Sequence, residues 1–220
     1  MRGIAVALTA LDIDAVAVAT EGRATGASPT TLKAPLLGVS IDSRTLKPGE
    51  LFVAVVGKHF DGHAFLGEAK ARGASAAVVQ KDVDGVIGLP VVRVADTTRA
   101  LGDLARHRRR EAEAPVVAIT GSVGKTTTKD LTAALLASRG PVLRTEGNLN
   151  NQYGLPLTLL RLGPEHTAVV VEMGMSAPGE LRTLTQIARP DVAVITNVGT
   201  AHLEFFGSAD EIAKAKAEIL

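Results

Sequence analysis

The sequence predicts an α/β protein in two parts: a small mixed α/β N-terminal domain over residues 1–114, then a second domain built on a mainly parallel sheet over residues 115–220. Three observations carry this reading. The second half holds three unbroken apolar runs, Val116-Val117-Ala118-Ile119, Ala168-Val169-Val170-Val171 and Val192-Ala193-Val194-Ile195. Strands without polar alternation are buried on both faces, as in a parallel sheet covered by helices. Helical stretches near residues 126–138 and 178–188 separate the runs, and the first run passes directly into a glycine-rich turn that opens a helix.

The elements of the first part follow in order. Leu51–Val56, Ala76–Val79 and Val91–Val94 read as short strands. His63–Arg72 reads as a helix between the first two, stopped by Gly73, where a positive φ is cheap. A second helix over residues 98–111 ends in Arg106-His107-Arg108-Arg109-Arg110. That cluster is either a phosphate-binding patch or a solvated helix end whose cations suit the C-terminal dipole.

Composition narrows the class. At 220 residues the chain makes one large or two small domains. Lys plus Arg (24) nearly balance Asp plus Glu (23), so no net field recruits nucleic acid or an anionic membrane. With no Cys, disulfide scaffolds, thiolate metal sites and cysteine nucleophiles are excluded. No apolar run approaches the roughly 20 residues of a membrane helix, and Asp12 and Asp14 interrupt the apolar start. The expectation is a cytoplasmic protein without membrane insertion.

Chemistry concentrates at the ends of the three apolar runs, where open parallel sheets bind ligands. Thr120-Gly121-Ser122-Val123-Gly124-Lys125-Thr126-Thr127 follows the first. Such a turn curls backbone N–H groups around phosphate oxygens at a helix N-terminus, with Lys125 reaching the β/γ-phosphates and the Thr126 hydroxyl free for Mg²⁺. The general P-loop places its first glycine where this chain has Ile119; here it is Gly121. Glu172 ends the second run, a position suited to a Mg²⁺ ligand, the alternative being an exposed strand-end carboxylate. His202, a short loop after the third run, is either a loop histidine or a second metal ligand.

Ser208-Ala209-Asp210-Glu211 has capping-box spacing and predicts a helix after Ser208. On it Lys216 shares the apolar stripe of Ile212 and Ile219, while Lys214, rotated by about 200°, faces outward. An inward lysine either snorkels or, desolvated, keeps more neutral amine, the form that reacts with CO₂ to give a carbamate. Asn148, Asn150 and Asn151 either orient phosphates or a substrate carboxylate, or make turn hydrogen bonds. Ser43 and Arg44 in Ser40-Ile41-Asp42-Ser43-Arg44 suit an anionic ligand.

Together these residues resemble the Mur ligase family, whose variant P-loop, Thr-Gly-x-x-Gly-Lys-Thr-Thr, accounts for the displaced glycine. The likeness runs from about residue 38 onward, through Phe60-Asp61-Gly62-His63, Gly147-Asn148-Leu149-Asn150-Asn151-Gln152-Tyr153-Gly154, Val171-Glu172-Met173-Gly174 and Asn197-Val198-Gly199-Thr200-Ala201-His202-Leu203-Glu204. It implies an ATP-dependent ligase of peptidoglycan precursor synthesis joining D-alanyl-D-alanine to UDP-N-acetylmuramoyl-tripeptide, monomeric, with no nucleic acid partner. Within the family, addition of diaminopimelate or Lys, or of glutamate to folate, are the alternatives; a nucleotide-dependent switch and a non-catalytic fragment belong to other classes. The resemblance assigns ATP phosphates to Gly121, Ser122, Val123, Gly124, Lys125, Thr126 and Thr127. It gives one Mg²⁺ to Thr126 and Glu172, and a second to His202 and a carbamylated Lys216. Lys125, His202 and Lys216 are its catalytic set. Asn148 and Asn151 would meet substrate, and Ser43 and Arg44 the UDP end. The resemblance further implies a chain continuing well past residue 220, hence an incomplete central domain here and no turnover by this chain alone.

Overall fold

A computed structural model describes residues 10–83, 88–199 and 207–220. The chain divides into two compact units between His107 and Arg108.

In the first unit, α1 (Ile13–Ala19) starts where Asp12 accepts the Ala15 N–H at 2.7 Å, and α2 (Pro29–Leu32) where Ser28 caps Thr31. The sheet comprises β1 (Arg23–Thr25), β2 (Val39–Ser40), β3 (Leu51–Val53), β4 (Ala76–Val79) and β5 (Val91–Arg93). Its order is β1-β5-β4-β3-β2, parallel except for the β1–β5 pair. α3 (Leu66–Ala71) and the first part of α4 (Thr97–Glu111) complete the unit. Its core joins Phe52, Ala77, Val79 and Val91 of the sheet to Leu66 and Ala69 of α3.

Two expectations need amendment here. The run 51–56 is strand only over β3, because Val56 turns back to bridge Asp61. The helix at 63–72 opens as a 3₁₀ turn, Gly62–Phe65, before α3 begins. Asp61 caps that turn through the His63 N–H at 3.0 Å and holds His63 Nδ1 at 2.6 Å. The other ring nitrogen, Nε2, accepts the Gln80 N–H at 3.0 Å. Asp61 and His63 thus lock the turn onto β4.

The second unit is a four-stranded parallel sheet, order β7-β8-β6-β9. Its strands are β6 (Val116–Thr120), β7 (Val142–Arg144), β8 (Ala168–Glu172) and β9 (Val192–Ile195). The helices are α5 (Lys125–Leu136), α6 (Gly154–Leu159), α7 (Glu180–Ala188) and α8 (Ala209–Ala217). Ile119, Val170 and Ala133 pack at the centre, and β8 is buried along its whole length. The expectation that β9 is covered on both faces fails. β9 is an edge strand, paired only to β6 among the described residues, and Val192 is 52% exposed.

Within the arginine cluster Arg110 is exposed, as a solvated helix end requires, whereas Arg109 is engaged. Arg109 donates to the carbonyls of Ala188 and Ala112, each at 3.0 Å, and to Asp191 Oδ2 at 2.9 Å. It stitches the end of α4 to the turn between α7 and β9.

Candidate active site

The site forms where the carboxyl ends of β6, β8 and β9 meet the N-terminus of α5. β6 runs into Gly121 and Gly124, with φ of +151° and +84°, conformations cheap only for glycine. A Cβ at Gly121 would lie 1.9 Å from Thr196 Oγ1. The close approach lets Thr196 Oγ1 donate to Val123 O at 2.6 Å, fixing the loop against the end of β9. No side chain caps α5, so its first N–H groups stay available for an anion.

The Lys125 ammonium folds back to donate to Gly121 O at 2.6 Å. Asn197, to which sequence reasoning gave no role, places Oδ1 3.0 Å from the Ser122 N–H and 2.9 Å from the Val123 N–H. Because both partners are donors, the amide orientation is determined: oxygen faces the loop.

Glu172 is 4% exposed. Its Oε2 accepts the Thr126 hydroxyl at 2.8 Å and its Oε1 the Asn150 amide at 2.9 Å, while its backbone N–H donates to Thr145 Oγ1 at 3.0 Å. The exposed strand-end alternative is thereby removed. The carboxylate's two hydrogen-bond donors are both neutral, which leaves its charge for a cation. Thr126 and Glu172 present two hard oxygens a hydrogen bond apart, a donor set that fits Mg²⁺. Among the described residues no three His, Cys, Asp or Glu gather in a metal-binding group. His202 lies outside the described residues.

Of the three asparagines, Asn150 and Asn151 both reach the site, and Asn150 bonds Glu172. It also accepts the Gly174 N–H on its carbonyl at 2.8 Å, and Gly174 leaves room for it, a Cβ there lying 3.1 Å from Asn150 Oδ1. Asn151 also accepts the N–H groups of Tyr153 at 3.1 Å and Gly154 at 3.0 Å at the start of α6. Asn148 takes the Asn150 N–H on its carbonyl at 2.8 Å.

Ser208 caps α8 through the Glu211 N–H at 3.2 Å. The resulting register buries Lys216, 2% exposed, and leaves Lys214 in solvent. Burial, and then the charge of Lys125, hold the Lys216 amine below its ordinary value of 10.5. Lys216, Lys125, Thr120, Gly121 and Asn150 line one cleft of about 590 Å³, extended by Tyr153 and the 173–176 segment. In the first unit, Ser43 is buried and donates to Glu68 at 3.0 Å, whereas the exposed Arg44 is held by Asp42 at 2.7 Å.

Residues 119–220 match the Mur ligase middle domain, and residues 36–109 match the Mur ligase family, catalytic domain. Over 181 residues, 82% of this chain, it is 49% identical to the UDP-N-acetylmuramoyl-tripeptide–D-alanyl-D-alanine ligase of Escherichia coli K12. A crystal structure of MurF from Acinetobacter baumannii superposes with a TM-score of 0.89 over 97% of the chain at 39% identity. The Thermotoga maritima MurF ligase in complex with ADP gives 0.75 over 83% at 42% identity. The chain spans 40% of the E. coli relative's length, and 47% and 42% of the two solved chains.

Proposed function

The chain belongs to the Mur ligase family, and from that premise we propose that it carries the ATP site, and a UDP-sugar-binding domain over residues 1–114, of a cytoplasmic ligase joining D-alanyl-D-alanine to UDP-N-acetylmuramoyl-tripeptide. The observation that carries the reading is the buried Glu172 carboxylate, hydrogen-bonded to Thr126 one residue after the P-loop lysine. No helix among the described residues is long and apolar enough to cross a membrane.

The reaction must make an amide from a carboxylate, a poor electrophile. A carboxylate oxygen of the tripeptide attacks the γ-phosphorus of ATP, and the bond to ADP breaks, giving an acyl phosphate. The amine of D-alanyl-D-alanine then attacks the acyl carbon; phosphate departs and the nitrogen loses its proton. Both steps gather negative charge, so the site must supply fixed positive charge and N–H donors.

Each residue has a part. The N–H groups from Gly121 to Thr127 cradle the phosphates, those of Ser122 and Val123 once Asn197 Oδ1 gives them up. Lys125, freed from the Gly121 carbonyl, turns its ammonium to the β/γ-phosphates. Thr126 and Glu172 would hold Mg²⁺, which when bound neutralises charge between triphosphate and carboxylate. Lys216 has the depressed amine that carbamate formation requires, and its carbamate, with His202, is the proposed holder of a second Mg²⁺. Asn150 keeps Glu172 oriented. Arg44, exposed beside Ser43, is the proposed cation for the UDP end.

The test is a chimaera in which this chain replaces the matching segment of the E. coli ligase. ADP release should require both the tripeptide precursor and D-alanyl-D-alanine. Release supported instead by diaminopimelate, Lys or glutamate would reassign the acceptor. Release without any acceptor would favour a nucleotide switch.

A further inference from the structure

Lys129 is a second buried lysine of this unit, and no step above uses it. It follows Lys125 by one turn of α5, so the two share a helix face. The residue is 4% exposed, and its Nζ donates to Thr145 O at 3.0 Å and stands 3.3 Å from Asp130 Oδ1. The same Asp130 oxygen takes Arg144 Nη1 at 3.1 Å. A lysine stem filling this space would pack as well without its charged head, because burying that head carries a desolvation cost an apolar residue avoids. The position of the head therefore needs a reason.

Thr145 supplies one. It is 1% exposed, immediately follows β7, and receives Lys129 on its carbonyl while its hydroxyl accepts the Glu172 N–H at 3.0 Å. β7 is three residues long and lies at the sheet edge; one backbone bond, Thr145 N–H to Val170 O at 3.1 Å, carries the ladder to its end, and the Thr145 carbonyl is taken by Lys129. Thr145 also begins the segment that leads to Asn150, whose amide holds the other side of Glu172. A tie from α5 to Thr145 thus steadies two supports of one carboxylate.

We propose that Lys129 is a positioning residue: by fixing Thr145 from the helix that bears Thr126, it sets the spacing of the Thr126 hydroxyl and the Glu172 carboxylate for Mg²⁺. The inference rests on reading this cleft as a Mg²⁺–nucleotide site.

The test measures binding of a non-hydrolysable ATP analogue to the full chain, with and without Mg²⁺, for the parent, Lys129→Met, Lys129→Arg, Thr145→Val and the Lys129→Met/Thr145→Val pair. Lys129→Met should keep metal-free affinity within about twofold yet require about tenfold more Mg²⁺ for half-maximal enhancement. Lys129→Arg should restore most of the difference. The pair should be no worse than Lys129→Met, because both changes cut one chain of contacts. Should Lys129→Met fail to fold, the near-isosteric Thr145→Val must show the Mg²⁺ shift alone. A parental Mg²⁺ midpoint in a folded variant, or equal loss with and without the metal, overturns the proposal. A parent that binds nucleotide with no Mg²⁺ dependence overturns the site reading as well.

Discussion

Glu172 illustrates how a single residue separates stability from function here. Its carboxylate is buried against a hydroxyl and an amide, neither of which returns its desolvation cost in full. Glu172→Gln keeps the shape and removes the charge. Thermal unfolding should find this variant within about 1 kcal/mol of the parent or more stable. Mg²⁺-dependent nucleotide binding should nonetheless fall at least about tenfold. A large loss of stability with normal Mg²⁺ dependence would mean that Glu172 is only structural. Lys216 gives the pH counterpart. Its amine sits below 10.5 when folded, so between that lowered value and 10.5 the unfolded chain binds more protons, and stability rises with pH. Lys216→Met abolishes this dependence. Relative to the parent it should gain most stability near neutrality, the difference shrinking as pH approaches 10.5. Denaturant melts of both proteins at about pH 7 and about pH 10 test the sign. A difference independent of pH would contradict the burial of a titrating amine.

At the level of elements, the loop between β6 and α5 depends on close approach to the end of β9. Gly121→Ala puts a methyl on Thr196 Oγ1 in a backbone region that side chains rarely adopt. Strain of this kind costs about 1–3 kcal/mol. The loop should relax away from Thr196 and lose at least about tenfold in nucleotide affinity, with helix content by circular dichroism unchanged. Unaltered affinity would show that the loop does not need this geometry. Elements with strong local signals were legible in the sequence: β6 and β8 through unbroken apolar runs, and α8 through its cap and apolar stripe. β7, with three residues, offers no period to read. β9 has the composition of a buried strand, yet pairing, not composition, decides whether a strand is an edge. The asparagines were legible only as a group. Which of them reaches Glu172 depends on Gly174 making room for Asn150, a contact between loops distant in sequence.

For the whole molecule, the P-loop, the strand-end carboxylate and the inward lysine lie in one unit, Arg108–Leu220, and line or border a single cleft. Sequence spacing located Lys125, Thr126, Glu172 and Lys216, because each sits at a strand end or on a helix stripe. It left Lys129, Thr145 and Asn197 unassigned, since their partners are backbone groups that only the fold brings near. The central claim, that this cleft is a Mg²⁺–ATP site, is tested most directly by a crystal structure of the chain with a non-hydrolysable ATP analogue and Mg²⁺ at neutral or higher pH. The predicted result has the β- and γ-phosphates on the N–H groups of Gly121–Thr127, Lys125 turned from the Gly121 carbonyl to the phosphates, and a metal about 2.0–2.1 Å from Thr126 Oγ1 with Glu172 beside it. Nucleotide bound elsewhere, with the Thr126–Glu172 hydrogen bond intact and no metal between them, would contradict it.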